Sequence, residues 1–361
     1  MKKITFTKVW NYGVSRIRRL LPRKSLRYID WMLHGDRTPV YGGKSFEIAY
    51  NQAFSDMEGG GKDAKKCFLK YGFTPLDYKL FGFESTNTSD EQRRSFVADW
   101  EKDALLIQKE GWNNYLELSD KYGFYLKLRP FYKREIMLID ANTKSEEFIR
   151  FARQMRHLFI KPNSDSYGNG AKVFDYGDDN QAAQFFDGLS GASWIVEERI
   201  CQSVDMAKWN ESSVNTVRVN TFLNKNGFFV LAPFMRTGRK GSIVDNGGAG
   251  GMFALIDEKD GMIITDAHNE KGESFAKHPD SAFPFKGQFI PQWSELLSIA
   301  KRAHKAVPHH LYISWDFALT DKGWCVIEGN WGQFIAQQTC AKQGFKKQFF
   351  EYMNGGRIVD N

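Results

Sequence analysis

The chain has 361 residues, 42% hydrophobic, 26% charged and 15% aromatic, with a formal net charge of +7. That length allows one large domain or two to three smaller ones with real cores, and the composition is that of an ordinary globular protein. No window approaches 18 consecutive apolar residues, so no membrane-spanning helix is expected; Cys67, Cys201, Cys325 and Cys340 are too far apart for a CxxC zinc site or a disulfide framework.

The charge sits at one end. Residues 1–40 carry ten Lys/Arg against Asp30 and Asp36, so the remainder is close to neutral. Such an arm fits an anionic surface, either a membrane leaflet or an acidic partner, and fits a solvated tail equally well. It contains no nucleic-acid reading module. The N-terminus lacks the apolar stretch of a signal peptide, and a reducing cytoplasm is the expected home. Residues 1–115 read as a mainly helical, basic region, with helical runs around Ser45–Met57 and Asp90–Lys109. Gly59-Gly60-Gly61-Lys62 lacks the leading Gly, the Ser/Thr and the preceding strand of a phosphate loop, and reads as a helix-ending turn.

From Leu126 the texture changes. REIMLI (134–139) predicts a strand, and SEEFIRFARQM (145–155) a helix capped by Ser145. Strands at 158–161 and 171–176 flank a Ser/Asn/Gly loop. DDNQAAQFFDGL (178–189) predicts a helix and WIVEERI (194–200) a strand. NTVRVNTFL, FFVLAPFMRT, GMFALID and GMIITDA follow as strand signals, then a helix over 293–306. LYISWDFAL (311–319) and GWCVIEGN (323–330) are the last strands, and a final helix is expected from Phe334 to Tyr352. Helices and largely antiparallel strands in blocks, without βαβ alternation, indicate an α+β fold.

Two stretches carry chemistry. Alternation puts Ser314, Asp316 and Ala318 on one face of the first terminal strand, and Val326, Glu328 and Asn330 on one face of the second. A three-residue loop, Asp321-Lys322-Gly323, would pair Thr320 with Trp324 and set Asp316 opposite Glu328. Two carboxylates and an amide oxygen side by side either lie on a solvated strand face or are joined by a cation; the apolar strands around them favour the cation, and hard oxygens suit Mg²⁺. Earlier, Lys161 ends an apolar strand and runs into a loop containing Ser166, Gly168 and Gly170, whose backbone N–H groups can turn to phosphate oxygens. The seven histidines form no constellation in the sequence, and the His309-His310 pair reads as surface or core.

In order, Asp120-Lys121, FIKP with its glycine loop, IVEERI, NTVRV, FMRTGRKGSIVDNGGAGG, WDFAL and IEGN resemble the ATP-grasp superfamily over about residues 115–335. More narrowly they resemble its sugar-transfer-associated members, linked to cell-surface polysaccharide synthesis. The resemblance implies two α+β subdomains gripping ATP: a small one at 116–200 with the flap, and a large one at 201–361 with the metal site. It implies that Lys121 and Lys161 bind ATP, that 166–170 form the flap, that Glu197, Glu198 and Ile200 belong to the adenine hinge, and that Asp205 meets the ribose. Arg218, Arg236 and Asn246 (with Gly247-Gly248) would act at the transferred phosphoryl group, and Asp316, Glu328 and Asn330 would hold one or two Mg²⁺ ions. Thr216 stands where the amino-acid ligase branch has an acid, and Arg239 and Lys240 are open to solvent or an anionic substrate. The implied activity is ADP-forming ligation of a small-molecule carboxylate to an amine (amino acid, sugar acid or amino sugar) in glycan modification. A hydroxyl kinase on the same scaffold and a non-catalytic nucleotide-binding adaptor are the rivals. The basic arm would then make peripheral contact with the membrane or a membrane-bound glycosyltransferase.

Overall fold

The structure is a computed structural model and describes residues 61–84, 88–163, 170–189, 193–245 and 250–355. The basic arm, the expected helix at Ser45–Met57, Ser166, Gly168, and Asn246 with its two following glycines lie outside the described residues. The chain divides into two units between Lys102 and Asp103.

In the first unit, α1 (Lys62–Tyr71), α2 (Pro75–Leu80) and α3 (Asp90–Ser95) carry a cluster of rings. Gly61 opens α1 in the left-handed conformation, and the helix that the Gly59–Lys62 turn was expected to end lies outside the described residues. Thr74 and Asp77 form a reciprocal capping box on α2, with Pro75 at its first position. Phe73, Phe81, Phe83 and Phe96 meet edge-on or tilted, with centroids 4.8–5.7 Å apart, and are buried. The helical run expected over Asp90–Lys109 is broken at Phe96-Val97-Ala98, three buried residues that leave the helical path to fill this core.

α4 (Asp99–Glu110) leads into the second unit, followed by α5 (Trp112–Ser119) and α6 (Lys121–Tyr132). A four-stranded antiparallel sheet comes next: β1 (Ile136–Ile139), α7 (Ser145–Met155), β2 (His157–Pro162), β3 (Lys172–Asp175), α8 (Asp179–Asp187) and β4 (Trp194–Glu198), in strand order β1-β4-β2-β3. Phe148 and Ala152 of α7 and Ala182 of α8 pack on Leu158, Ile160, Trp194 and Val196 to form its core. The expected cap of α7 shifts by one: Lys144 is the capping residue and Ser145 the first helical one.

After α9 (Val204–Ala207), a second sheet assembles from β5 (Thr216–Asn224), β6 (Gly227–Val230), β7 (Phe234–Thr237), β8 (Met252–Leu255), β9 (Ala267–Asn269), β10 (Ser274–Phe275), β11 (Tyr312–Thr320) and β12 (Gly323–Asn330). Its order is β10-β9-β8-β7-β5-β11-β12, with β6 on β5, and all its pairs are antiparallel. α10 (Trp293–Ala306) covers it with Leu296, Ile299, Ala300 and Ala303. α11 (Ile335–Ala341) and α12 (Lys346–Met353) replace the single terminal helix expected from the sequence, because Lys342 turns left-handed between them. GMIITDA forms isolated bridges at Met262 and Ile263, and β9 begins only at its last residue. The fold is α+β, as expected. No helix among the described residues is long and apolar enough to cross a membrane.

Candidate active site

The terminal hairpin brings Asp316 opposite Glu328, but by a different route from the expected one. Thr320 pairs with Gly323, not Trp324, and Gly323 takes φ 82°, where glycine is favoured. The register therefore starts one residue early. An irregularity between Asp316 and Phe317 then absorbs one extra residue, Ile327, and restores Asp316 to Glu328 and Ser314 to Asn330. Asn330 Nδ2 donates to Glu328 Oε1 at 3.1 Å.

On its other side β11 pairs with β5, where Arg218 is the direct partner of Asp316. The guanidinium grips the buried carboxylate with two bonds, Nε–Oδ1 at 2.6 Å and Nη2–Oδ2 at 2.5 Å. Arg236, from β7, reaches the same carboxylate at 3.2 Å and Asp245 at 3.0 Å. Thr216 donates its hydroxyl to Asp245. The acid that Thr216 lacks thus arrives from Asp245, next to the expected Asn246, and burial pushes that carboxyl up in spite of Arg236.

The lysines come from the other elements. Lys121 is the first residue of α6, whose cap Asp120 accepts from Gly123 N–H at 3.1 Å. Lys161 stands near the end of β2. Burial alone would raise the Glu328 carboxyl; Lys161, then Lys121, the Asn330 amide and Arg218 overcome that and hold it well below the usual range. The hairpin carboxylate, Lys161 of the small sheet and Lys121 of α6 therefore share one field.

Lys161 also bonds Glu197 Oε1 at 2.5 Å. Glu197 is buried in β4 and takes Arg134 as well, through Nε at 2.7 Å and through Nη2. Arg134 Nη1 donates on to Val326 O at 2.6 Å in β12. This chain of charge ties the small sheet to the large one. Burial works against the Glu197 carboxylate, but Arg134 and Lys161 keep it below its ordinary value. Glu198 is half-buried, accepts from Glu135 N–H at 3.5 Å and lies 3.9 Å from Lys322. The N–H groups of Glu198 and Arg199 are engaged by Glu135 O and His157 O, so Ile200 is the first expected hinge residue beyond those bonds.

Asp316, Glu328, Asn330, Arg218, Arg236, Lys121 and Lys161 are thus brought together. Asp205 is not among them: it lies on α9, largely exposed and paired with Lys208 at 2.8 Å. Gly170, at φ 74°, is the described end of the expected flap. Arg239 donates two hydrogen bonds to the Asp280 carboxylate, at 2.8 and 2.9 Å. Sequence reasoning missed Arg134 and Asp245; an arginine before an apolar run and an aspartate in a glycine-rich loop both look like surface residues, and no local signal marks them.

The oxygen donors fit a hard divalent cation: two cross-strand carboxylates and an amide, ringed by cations that would face a polyanion. A profile of the family described as sugar-transfer associated ATP-grasp matches residues 132–351. No curated protein matches the sequence. Among solved structures, the chain is similar to a D-alanine–D-alanine ligase from Coxiella burnetii, with 12% identity over 62% of this chain and 49% of that one and a TM-score of 0.37. It is similar to the VanG D-Ala:D-Ser ligase from Enterococcus faecalis, with 11% identity over 66% and 61% and a TM-score of 0.42. It is also similar to the ATP-grasp ligase PsnB complexed with minimal precursor, Mg and ADP, with 13% identity over 81% and 74% and a TM-score of 0.42. The chain spans 49–66% of the length of the D-alanine–D-alanine ligases it matches.

Proposed function

The chain belongs to the sugar-transfer associated ATP-grasp family, and from that membership we propose that it is an ADP-forming ligase that joins a carboxylate to an amine in the modification of a cell-surface glycan. One observation carries the reading: the cross-strand carboxylates of buried Asp316 and half-buried Glu328 meet the field of Lys121 and Lys161 from separate elements, and Asp316 is backed by Arg218 and Arg236. ATP is the substrate such a set would accept, with its phosphates against the two lysines. Asp316, Glu328 and Asn330 would hold magnesium, which when bound would spread charge from the transferred phosphoryl group.

The chain's own residues do the positioning. Arg218 fixes the Asp316 carboxylate in its plane, and Arg236, which already spans Asp316 and Asp245, is in reach to balance charge on the phosphoryl oxygens. In the proposed reaction a substrate carboxylate oxygen attacks the γ-phosphorus and the bond to ADP breaks. The amine nitrogen then attacks the acyl carbon, and phosphate leaves with the bonding pair. The amine loses its proton to solvent or base. No protein nucleophile is required. The basic arm supports a place near a membrane or a membrane-bound glycosyltransferase.

The test is an ADP-release screen over amino acids, sugar acids and amino sugars, run with and without hydroxylamine. A hydroxamate that forms only with ATP and the acid supports an activated carboxylate. A phosphorylated hydroxyl without need of an amine would replace the ligase by a kinase, and nucleotide binding without turnover would leave an adaptor.

A further inference from the structure

The C-terminal end of α5 lies beside the turn that joins α10 to β11, and three side chains meet there. Ligand atoms of Glu117, His309 and His310 all lie within 4.8 Å of one another. Glu117 Oε1 is 3.1 Å from His309 Nε2 and 3.5 Å from His310 Nε2. His310 is wholly buried. Its Nδ1 faces the Glu110 carboxylate at 3.4 Å, and Glu110 is itself held by the N–H groups of Leu311 and Tyr312 at 2.8 and 3.2 Å. Each ring nitrogen faces a carboxylate, so with the proton held on Nδ1 by Glu110 the Nε2 lone pair is left for a cation. That buried Nε2 has no hydrogen-bond partner. It is aimed at a carboxylate oxygen, which can only accept. In that tautomer two lone pairs face each other, which is unfavourable unless a cation joins them.

We propose that Glu117, His309 and His310 form a binding site for a zinc-class divalent cation, with Glu110 as the positioning carboxylate behind His310. Two imidazoles and one carboxylate are the donors such ions take, and a water can fill the fourth position on the side where His309 is 44% exposed. Lys127 bonds Glu117 Oε1 at 2.9 Å, and its half-exposed side chain can swing into solvent when the ion enters. The bound ion would clip α5 to the turn before β11. α5 runs through Asp120 into Lys121, and β11 carries Asp316, so the clip ties together two of the elements that build the active site. It does not depend on the reaction proposed above. The two adjacent histidines, unremarkable in the sequence, acquire their partner only through a residue nearly two hundred positions away.

The test uses full-length, untagged protein stripped by chelation and titrated with Zn²⁺ alone, without nucleotide, by calorimetry, and with Co²⁺ by absorbance. We expect a stoichiometric site with a tetrahedral cobalt spectrum. Glu117→Gln and His309→Ala should each weaken it by at least about 10-fold, and Asp316→Asn should retain it, which separates it from the nucleotide site. His309 is exposed enough for the alanine variant to fold, and circular dichroism checks this. Lys127→Met should bind zinc more tightly, and weaker binding there counts against the site. Absence of stoichiometric uptake, or uptake unchanged in both the Glu117 and His309 variants, overturns the proposal and leaves a proton between His310 and Glu117.

Discussion

Glu197→Gln tests whether the two sheets are joined by charge. In the wild type the Glu197 carboxylate is 4% exposed and accepts from Arg134 and Lys161 at once. The glutamine keeps the shape and one accepting oxygen, but leaves two cations facing an uncharged amide. Arg134 retains Val326 O at 2.6 Å and Tyr132 O at 3.3 Å, which are too little to offset a buried charge. Removing one partner of a buried pair costs roughly 3–5 kcal/mol; taking ~3 kcal/mol and a urea slope near 3 kcal/mol per molar, the midpoint should fall by about 1 M. Folding lowers the Glu197 carboxyl from its ordinary value, so its contribution is full above about pH 4.5 and is lost as pH falls through the lower folded value. The variant should lack that part of the acid limb. The double variant with Arg134→Met should be less damaged than the two single losses added together. Urea melts at pH 7 and pH 4 decide the matter: a midpoint shift under about 0.3 M, with additive losses in the double variant, would refute the link.

Asp316→Asn should lower ADP release by at least about 100-fold, because it removes one carboxylate of the proposed cation pair and the anchor of Arg218 and Arg236; unchanged turnover would remove Asp316 from the site. Gly329→Ala would set a Cβ 2.6 Å from Phe124 Cε1 and 3.2 Å from Ile313 Cγ2, so Phe124, three residues after Lys121 on α6, must move. A stability loss of about 1–3 kcal/mol with a raised KM for ATP is expected, and a fall in stability with KM unchanged would show that Lys121 does not depend on this contact. Burial lowers the His304 pKa to about 4, so the folded state favours the neutral ring. Its contribution, up to ~3 kcal/mol, is full above about pH 6.5 and is lost towards pH 4; the stability difference between pH 7 and pH 5 should shrink in His304→Gln, and an unchanged difference would exclude His304 as its source.

What could be read from the sequence was local. α10 and β12 begin and end where their patterns place them, because turn residues, apolar periodicity and the ends of the runs all agree there. The facing of Asp316 and Glu328 was also readable, though for an incomplete reason. The expected turn was one residue too long, and the strand irregularity that corrects it has no signature in GWCVIEGN. Long helical runs were overextended at Phe96-Val97-Ala98 and at Lys342, where packing and a left-handed residue override propensity.

The unreadable part of the site has a common cause. Arg134 meets Glu197 across 63 residues, and Arg218 meets Asp316 across 98. Within a hairpin, alternation fixes which side chains face each other, so a carboxylate pair can be derived from spacing. Between elements the partner depends on how sheets dock, and no periodicity encodes that. The same charged residue can then be a solvated surface group or the centre of a buried network. Arg134 is the clear case. It precedes a strand as a surface arginine would, yet it is 7% exposed and joins a small-sheet carboxylate to large-sheet carbonyls. Such a strut sets how the two sheets meet. The strut leaves Lys161 at the end of the same charge chain, where an entering phosphate would compete with Glu197 for its ammonium. On the proposed phosphate role of Lys161, binding at the site and the tie between the sheets would be coupled through one carboxylate, so Glu197, rather than a residue touching the proposed metal, tests both at once.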